Sequence, residues 1–330
     1  MSSHSIFIST APFCEYDPRP QKILESVGVP YRVNPHGKRL TTDQLSELLE
    51  DASILIAGTE PINEKVFAAA PHLKLICRVG VGVDSVDLIA AKTRGIQVCY
   101  TPDAPSLAVA ELTVGLMLNL LRGIGQADRA VRAGTWRRHS GRRLADSVVG
   151  IIGVGRIGRQ LTRHLRGGFP GIQLLLNDLS PTTDTSSDPL IRWVDKEELF
   201  RTADIISLHV PLTSLTRKLI SKSTLSLMKP DSYLINTSRG EVVDEEAMAE
   251  ALKSNRIAGA ALDVFEHEPY KGPLAENERS IFTCHMGSMT HDCRARMELE
   301  AVEDAVRFMR GEPLARLVPQ AEYDMRLALG

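Results

Sequence analysis

Short apolar runs alternate along the chain with longer stretches in which apolar residues recur at helical spacing. Nine of the short runs are rich in Ile, Val and Leu and resemble buried strands. They are SIFIST, SILIAG, LKLICRVG, IQVCYT, VVGIIGVG, IQLLLND, DIISLHVP, SYLINTS and AGAALDVF. The stretches between them, such as TTDQLSELLEDA, are long enough for crossover helices. The pattern therefore predicts an α/β fold built on parallel sheets.

The order of these elements predicts two doubly wound domains. A chain of 330 residues exceeds the usual size of one domain. Two long apolar-periodic stretches, 105–121 and 293–310, are predicted helices that join two domains. The first of them lies between the first four strands and VVGIIGVG. We expect one domain formed by 1–102 plus 298–330, with a second domain, 103–297, inserted into it.

Charge and cysteine content narrow the class of protein. The chain has 39 Lys and Arg against 41 Asp and Glu, a net charge of −2, so no basic surplus attracts nucleic acid or an acidic membrane. Five scattered cysteines favour a reducing compartment over a disulfide scaffold. The opening MSSHSIFIST lacks the basic start and long apolar stretch of a signal peptide. We expect a cytoplasmic protein without nucleic-acid or membrane partners.

The stretch VVGIIGVGRIGRQL combines a strand, a glycine turn and a helix. Gly153, Gly155 and Gly158 permit a tight turn, close approach of a pyrophosphate and close helix packing, and the helix N-terminus offers free N–H groups. The next strand ends in Asp178, which suits ribose hydroxyls and repels a 2′-phosphate. No arginine follows it in NDLSPTT. The inserted domain is therefore predicted to be a Rossmann domain that binds NAD rather than NADP.

A nicotinamide carrier implies hydride transfer, for which the protein must supply an acid or base. Histidine suits this role because it titrates near neutral pH. Of nine histidines, His285 directly follows a short apolar run, and the carboxyl ends of strands line the ligand crevice of doubly wound sheets. His285 is therefore the candidate proton donor.

Several longer motifs resemble the D-isomer-specific 2-hydroxyacid dehydrogenase family. They are INTSRGEVVDEEAMAEAL, GAALDVFEHEP, TCHMGSMT, RVGVGVDSVDL, SLAVAELTVGLMLNLLR and HVPLT, and they cover nearly the whole chain. The loop at 78–84 is most similar to that of phosphoglycerate dehydrogenases. We expect a member without their regulatory C-terminal domain, with a flavodoxin-like substrate domain around the Rossmann domain.

This resemblance implies a catalytic set of three residues. Arg239 binds and polarises the 2-oxo acid, His285 is the acid or base, and Glu268 pairs with His285. A carboxylate beside an imidazole favours its protonated form and so keeps a proton available. The planar fork of an arginine fits a carboxylate bidentately and stays charged. Formate dehydrogenases carry glutamine at the position of Glu268, so the glutamate in this chain argues against formate as substrate.

The resemblance also implies further contacts. The cofactor contacts, beyond the glycine turn and Asp178, are Arg156, Ile157, His209, Pro211, Thr216, Thr237, Ser238, Asp263 and Gly287. The main-chain N–H groups of Val81 and Gly82 receive the substrate carboxylate, since glycine permits close approach.

The segment TWRRHSGRR is unusually rich in arginine and leaves two interpretations open. One is a solvated basic surface. The other is that Arg138, with Arg78, binds a phosphate or phosphonate on the substrate, either within one subunit or across a subunit boundary. Cys284 stands where the family usually has proline, which removes a backbone restraint before His285.

Together these features predict an NAD-dependent oxidoreductase that interconverts a small D-2-hydroxy acid and its 2-oxo acid. The resemblance to the family also implies a homodimer that uses 105–121 and 135–144. Two alternatives stay open: an NAD-regulated, corepressor-like binding protein, and a phosphite dehydrogenase. No metal is expected, because the histidines and cysteines near 285–293 lack the paired spacing of a zinc site.

Overall fold

The computed structural model describes residues 4–181 and 188–327. The chain divides into two compact units, one of Met1–Pro105 with Ser288–Gly330 and one of Ser106–Gly287. The second unit is thus inserted into the sequence of the first.

The N-terminal part of the first unit alternates strands and helices. Its strands are β1 (Ile6–Ile8), β2 (Tyr31–Val33), β3 (Ile54–Ala57), β4 (Leu75–Arg78) and β5 (Gln97–Cys99). Its helices are α1 (Arg19–Ser26), α2 (Thr42–Leu48), α3 (Glu64–Ala69) and α4 (Leu88–Thr93). The strands are parallel, in the order β2-β1-β3-β4-β5. The central strands β3 and β4 are buried throughout, which explains their continuous apolar sequences.

The second unit holds a larger sheet. Its helices are α5 (Pro105–Arg122), α6 (Ile124–Arg132), α7 (Arg156–Gly168), α8 (Lys196–Thr202), α9 (Lys222–Leu227) and α10 (Glu245–Lys253). Its strands are β6 (Val148–Ile152), β7 (Gln173–Asn177), β8 (Ile191–Trp193), β9 (Ile205–Leu208), β10 (Tyr233–Asn236), β11 (Gly259–Leu262) and β12 (Ile281–Phe282). Short 3₁₀ turns span Leu144–Asp146, Gly240–Val242 and Pro273–Glu276.

The strand order of this sheet locates its ligand crevice. All seven strands are parallel, in the order β12-β11-β10-β9-β6-β7-β8. The chain moves outward from β6 to β7 and β8, then returns to β9 on the other side of β6. Ligands of doubly wound sheets bind at the carboxyl ends of the strands where the order reverses. In this unit that point lies between β6 and β9.

The chain ends with α11 (His291–Met309) and α12 (Gln320–Leu327), which belong to the first unit. Thr290 caps α11, its side chain accepting a hydrogen bond from the Cys293 N–H, and the helix packs on α1, β3 and β4. The predicted boundary at 297 therefore falls inside α11, whereas the observed division follows Gly287. The other predicted boundary, at 102, lies close to the observed one at Pro105.

Helix α5 is the most apolar helix among the described residues. By length and composition it could cross a membrane, but 56% of it is buried within the protein. Its buried side chains, such as Met117 and Leu120, pack with Ile151 and Leu161 in the core of the second unit. It is therefore a core helix of that unit.

Candidate active site

The glycine turn after β6 is shaped by contacts that exclude side chains. Gly153 has a φ of 92°, and a Cβ there would lie 2.4 Å from the carbonyl oxygen of His209. A Cβ on Gly158 would lie 2.1 Å from the carbonyl oxygen of Gly153. Strand β6, helix α7 and the chain after β9 therefore approach one another as closely as main chains allow.

The N-terminus of α7 faces open space. Gly155 is its N-cap and provides no side-chain hydrogen bond, and a Cβ there would meet no atom within 4 Å. Arg156, which is exposed, and Ile157, which is half-buried, form the first turn. The uncapped N–H groups and the space before them fit the pyrophosphate of a dinucleotide.

Asp178 lies directly after β7, beside the glycine turn. Its Oδ2 accepts a hydrogen bond from the Val154 N–H (2.7 Å) and its Oδ1 accepts one from the Ser180 N–H (3.0 Å). The carboxylate is thereby fixed, with lone pairs left on both oxygens. This arrangement fits an acceptor for ribose hydroxyls.

His209 follows β9 with its ring out of solvent. Its Nε2 is 2.8 Å from the Ser207 hydroxyl, and its buried Nδ1 has no hydrogen-bond partner among the residues that the structure describes. Burial lowers the pKa of His209 to about 4, so the imidazole is neutral at neutral pH. A buried, unfilled nitrogen at this point fits the predicted cofactor contact.

The loop after His209 is closed by Thr216. Its hydroxyl donates to the Pro211 carbonyl (2.6 Å) and accepts from the Thr213 N–H (2.8 Å). Pro211 is exposed and Thr216 is half-buried. The structure therefore gives Thr216 a role in shaping this loop.

Asn236, the last residue of β10, organises the following turn. Its Oδ1 accepts from both the N–H (3.0 Å) and the hydroxyl (2.7 Å) of Ser238, and its Nδ2 donates to the Arg239 carbonyl (2.7 Å). The Thr237 hydroxyl lies 3.3 Å from that of Thr113 on α5. The predicted contacts at 237 and 238 are thus placed at the carboxyl end of a central strand.

Arg239 is half-buried and begins a tightly packed segment. Its Nη1 donates to the Ser238 carbonyl (2.6 Å). At the next position, a Cβ on Gly240 would lie only 1.9 Å from the carbonyl carbon of Phe265. The arginine-bearing segment therefore packs directly on the main chain that leads to Glu268.

Glu268 and His285 form a hydrogen-bonded pair. His285 Nδ1 is 2.9 Å from Glu268 Oε2, and Glu268 Oε1 accepts from the Phe265 N–H (3.2 Å). The side chains are 39% and 26% exposed for the histidine and the glutamate, so a ligand can reach them. The structure therefore brings together two of the three predicted catalytic residues and packs the segment of the third against the same loop.

Asp263 holds the loop that carries His285. Its Oδ1 accepts from the Thr283 hydroxyl (2.5 Å) and the Met286 N–H (2.9 Å), and its Oδ2 accepts from the Gly287 N–H (2.8 Å). Its carbonyl accepts from the His285 N–H (2.7 Å), and His285 has a φ of 52°. This buried carboxylate thus stabilises a left-handed histidine that is otherwise unfavourable.

The predicted carboxylate-binding residues of the first unit follow β4. The Arg78 guanidinium is buried and donates to the Val79 carbonyl. Gly80 has a φ of 147°, and a Cβ there would lie 2.4 Å from Arg78 Nη1. Val81 and Gly82 follow, both half-buried. Arg78 is thus folded against its own loop.

The arginine-rich segment is only partly available to ligands. Arg142 pairs with Asp204 (3.3 Å) and Arg143 with Asp146 (2.9 Å). Arg138 is exposed, and no ion pair of its side chain is found in the described part of the chain. Two of the four arginines of this segment are therefore engaged in ion pairs.

Sequence reasoning missed several residues that build the site. These are Ser207, Asn236, Glu245 and Thr283. Three of them are polar residues at the carboxyl ends of apolar strands, which was an available signal. Glu245 had none, because its sequence position suggests only a favourable charge in the first turn of a helix.

The sequence and the fold are similar to those of known proteins. Residues 114–287 match the family described as D-isomer specific 2-hydroxyacid dehydrogenase, NAD binding domain. The chain is 39% identical over 297 residues to a D-3-phosphoglycerate dehydrogenase of Methanocaldococcus jannaschii, covering 88% of this chain and 55% of that protein. It therefore spans about half the length of that relative.

Two further proteins resemble the chain over most of their length. A glyoxylate reductase of Thermofilum pendens is 38% identical over 291 residues, which cover 86% of this chain and 85% of the reductase. The structure of a D-lactate dehydrogenase from Aquifex aeolicus complexed with NAD and lactic acid is similar, with a TM-score of 0.83 and 27% identity. That similarity covers 93% of this chain and 96% of the dehydrogenase.

The packing of Gly240 gives a first prediction. Gly240→Ala should lower the free energy of unfolding by about 1–3 kcal/mol and reduce kcat, because the new methyl group displaces the loop before Glu268. Chemical denaturation and steady-state rates measure both effects. Gly167→Ala on α7 is the control, since its Cβ meets no atom within 4 Å. Parent-like stability and rate for Gly240→Ala would contradict the close packing.

Proposed function

The chain belongs to the D-isomer-specific 2-hydroxyacid dehydrogenase family, and we propose that it interconverts a small D-2-hydroxy acid and its 2-oxo acid with NAD as cofactor. The observation that carries this proposal is the 2.9 Å hydrogen bond between His285 and Glu268, together with the packing of the Glu268 loop against the Arg239 segment. The His285–Glu268 pair supplies a proton-transfer group, and Arg239 supplies a cation for a substrate carboxylate.

The relatives indicate the class of substrate. Their names specify 3-phosphoglycerate, glyoxylate and lactate, which are all small 2-hydroxy or 2-oxo acids or their phosphorylated relatives. We infer that this chain acts on the same class. Reduction of the 2-oxo acid is the proposed physiological direction.

His285 transfers the proton in this proposal. Because Glu268 engages Nδ1, Nε2 is the nitrogen left for the substrate oxygen. When bound, the nicotinamide cofactor would supply the hydride for C2 of the 2-oxo acid. The C=O π electrons move to the oxygen, which takes the Nε2 proton, and Glu268 stabilises the imidazolium before that transfer.

Arg239 orients the acid. Its guanidinium binds the substrate carboxylate through two parallel hydrogen bonds and polarises the adjacent carbonyl. The main chain around it is fixed by Asn236, so the fork is presented in one orientation. Val81 and Gly82 are proposed to donate main-chain hydrogen bonds to the carboxylate as well.

The second unit is proposed to hold the cofactor through the turn at 153–158. The N-terminus of α7 binds the pyrophosphate, Asp178 accepts from the adenosine ribose hydroxyls, and His209 offers its unfilled nitrogen. The carboxylate at 178 disfavours a 2′-phosphate, so NAD is preferred over NADP.

A homodimer in the cytoplasm is part of the proposal. Helix α6 has no buried residue, although Ile124 and Val131 on it are apolar, and Trp136 in the following loop is 83% exposed. Such a surface fits a second copy of the chain. The free cysteines and the net charge of −2 favour a cytoplasmic protein without nucleic-acid or membrane partners.

Removal of the imidazole tests the proposed acid. His285→Ala should reduce kcat for 2-oxo acid reduction by roughly 10²–10⁴, the usual scale for a positioned acid or base. Stopped-flow or steady-state oxidation of NADH measures the rate. His267→Ala, which removes an exposed histidine from the neighbouring loop, should keep the parent rate. Turnover of His285→Ala within a few-fold of the parent would remove it from the reaction.

Replacement of the Arg239 guanidinium by an ammonium group tests its proposed role in binding the substrate carboxylate. Arg239→Lys keeps the charge but loses the planar fork, so kcat should fall and KM for the 2-oxo acid should rise. Arg217→Lys at an exposed position is the matched control and should change neither constant. Unaltered kinetics of Arg239→Lys would show that the guanidinium does not bind substrate.

A panel of substrates tests whether Arg138 binds a second anionic group on the substrate. Pyruvate, glyoxylate, hydroxypyruvate, phosphohydroxypyruvate and phosphonopyruvate should be compared with NADH, and phosphite with NAD. If Arg138 binds a phosphate or phosphonate, Arg138→Ala should weaken kcat/KM for the doubly anionic compounds about tenfold, on the scale of a charged hydrogen bond. Arg137→Ala, at the adjacent exposed position, is the control.

The same panel separates the proposed function from its alternatives. Equal effects of Arg138→Ala on all substrates would leave the arginine-rich segment as a solvated surface. Phosphite oxidation without 2-oxo acid reduction would favour a phosphite dehydrogenase. NAD binding without turnover of any compound would favour a corepressor-like binding protein.

A further inference from the structure

Glu245 lies at the start of α10 and contacts the loop that carries Glu268. The helix is capped by Asp244, and Glu245 and Glu246 both occupy its first turn. Glu245 Oε1 accepts a hydrogen bond of 2.7 Å from the main-chain N–H of Glu266. This contact joins α10 to a residue two positions before Glu268.

Two side-chain carboxylates thus accept hydrogen bonds from successive main-chain N–H groups of one turn. Glu268 Oε1 accepts from the Phe265 N–H (3.2 Å), and Glu245 accepts from the next N–H, that of Glu266. The Phe265 ring stacks on Tyr270, with centroids 4.3 Å apart. The beginning of the turn is therefore held by packing, and its next residue is held by the side chain of Glu245.

The geometry of the turn determines where Glu268 can reach. Glu268 must place Oε1 on the Phe265 N–H and Oε2 on His285 Nδ1 at the same time. A shift of the main chain at Glu266 moves the Cα of Glu268 and lengthens at least one of these bonds. The position of the proton-transfer pair therefore depends on the hydrogen bond from Glu266 to Glu245.

The environment of Glu245 distinguishes it from a surface charge. The residue is half-buried, and burial raises the pKa of its carboxyl, while the Glu266 N–H lowers it. The charged groups that face it are Glu266 and Glu241, which raise this pKa, and His267, which lowers it. A carboxylate that loses hydration in this way needs its main-chain donor. Glu246, the next residue, is exposed.

We propose that Glu245 is a positioning residue for the reaction, acting by fixing the turn that presents Glu268 to His285. The proposal rests on the proposed function, because it assumes that this pair transfers the proton. It assigns Glu245 no contact with substrate or cofactor.

The proposal predicts a specific kinetic signature. Glu245→Ala deletes the carboxylate, and Glu245→Asp shortens the side chain so that it no longer reaches the Glu266 N–H. Each variant should therefore lower kcat about tenfold, within the scale for displaced catalytic groups. KM for NADH should stay unchanged, since the glycine turn and Asp178 are not involved. Glu245→Gln keeps an oxygen acceptor for the Glu266 N–H and should recover most of the rate.

The pH dependence provides a readout that a merely structural role would not move. Reduction needs the protonated imidazole, so the rate falls as pH rises. A poorly held Glu268 stabilises that form less, so in Glu245→Ala and Glu245→Asp the fall should begin at lower pH than in the parent. In Glu245→Gln the profile should coincide with that of the parent.

Glu246→Ala is the matched control. It removes a carboxylate from the same helical turn, with the same change in charge and in helix-end electrostatics, but from an exposed position. It should leave kcat, KM and the pH profile unchanged. Thermal unfolding of each variant confirms folding, and the conservative Glu245→Asp keeps the test valid if Glu245→Ala does not fold.

The outcomes separate this inference from the proposed function. If Glu245→Asp and Glu245→Ala match Glu246→Ala in rate and pH profile while Glu268→Gln and His285→Ala are slow, the inference is wrong and the function stands. A Glu245→Gln variant as slow as Glu245→Ala overturns it too. If His285→Ala itself keeps the parent rate, the proposed function is wrong.

Discussion

The hydrogen bond between His285 and Glu268 is the interaction on which the site depends, and the sheet register makes it possible. The two residues lie 17 positions apart, on chains that leave β11 and β12. These strands are parallel neighbours, with Ala261 opposite Ile281 and Leu262 opposite Phe282. Both chains therefore leave the same edge of the sheet at the same level, so short loops suffice to bring an acid and an imidazole together.

Further carboxylates hold the loops that carry His285 and Glu268. Both carboxylate oxygens of Asp263 accept hydrogen bonds from the loop that carries His285. These bonds offset the left-handed conformation of His285, which costs a non-glycine residue roughly 1–2 kcal/mol. Glu245 holds the loop of Glu268. Gly240 lets the Arg239 segment pack against that loop without a side chain between them. The geometry of this site is thus fixed by hydrogen bonds from main-chain donors to carboxylate acceptors.

Much of this was accessible from the sequence, because buried parallel strands and glycine turns leave strong patterns. The predicted family, the NAD cofactor and the two parallel-sheet domains are confirmed. The missed strands Tyr31–Val33 and Ile191–Trp193 lie at sheet edges and are partly exposed, so they lack a continuous apolar run. The contacts of Asp263 and Glu245 depend on register and loop path, which no local pattern encodes. The roles assigned to the site residues stay predictions.

A crystal structure with NAD and a non-reducible 2-oxo acid analogue such as oxamate tests the central claim most directly. The quantity to measure is the distance from His285 Nε2 to the analogue's oxygen at the position of the reactive carbonyl. We expect a hydrogen bond of roughly 2.6–3.2 Å, with Nδ1 still bonded to Glu268. An imidazole turned away from the analogue, or separated from Glu268 in that complex, would contradict the assignment of this pair to proton transfer.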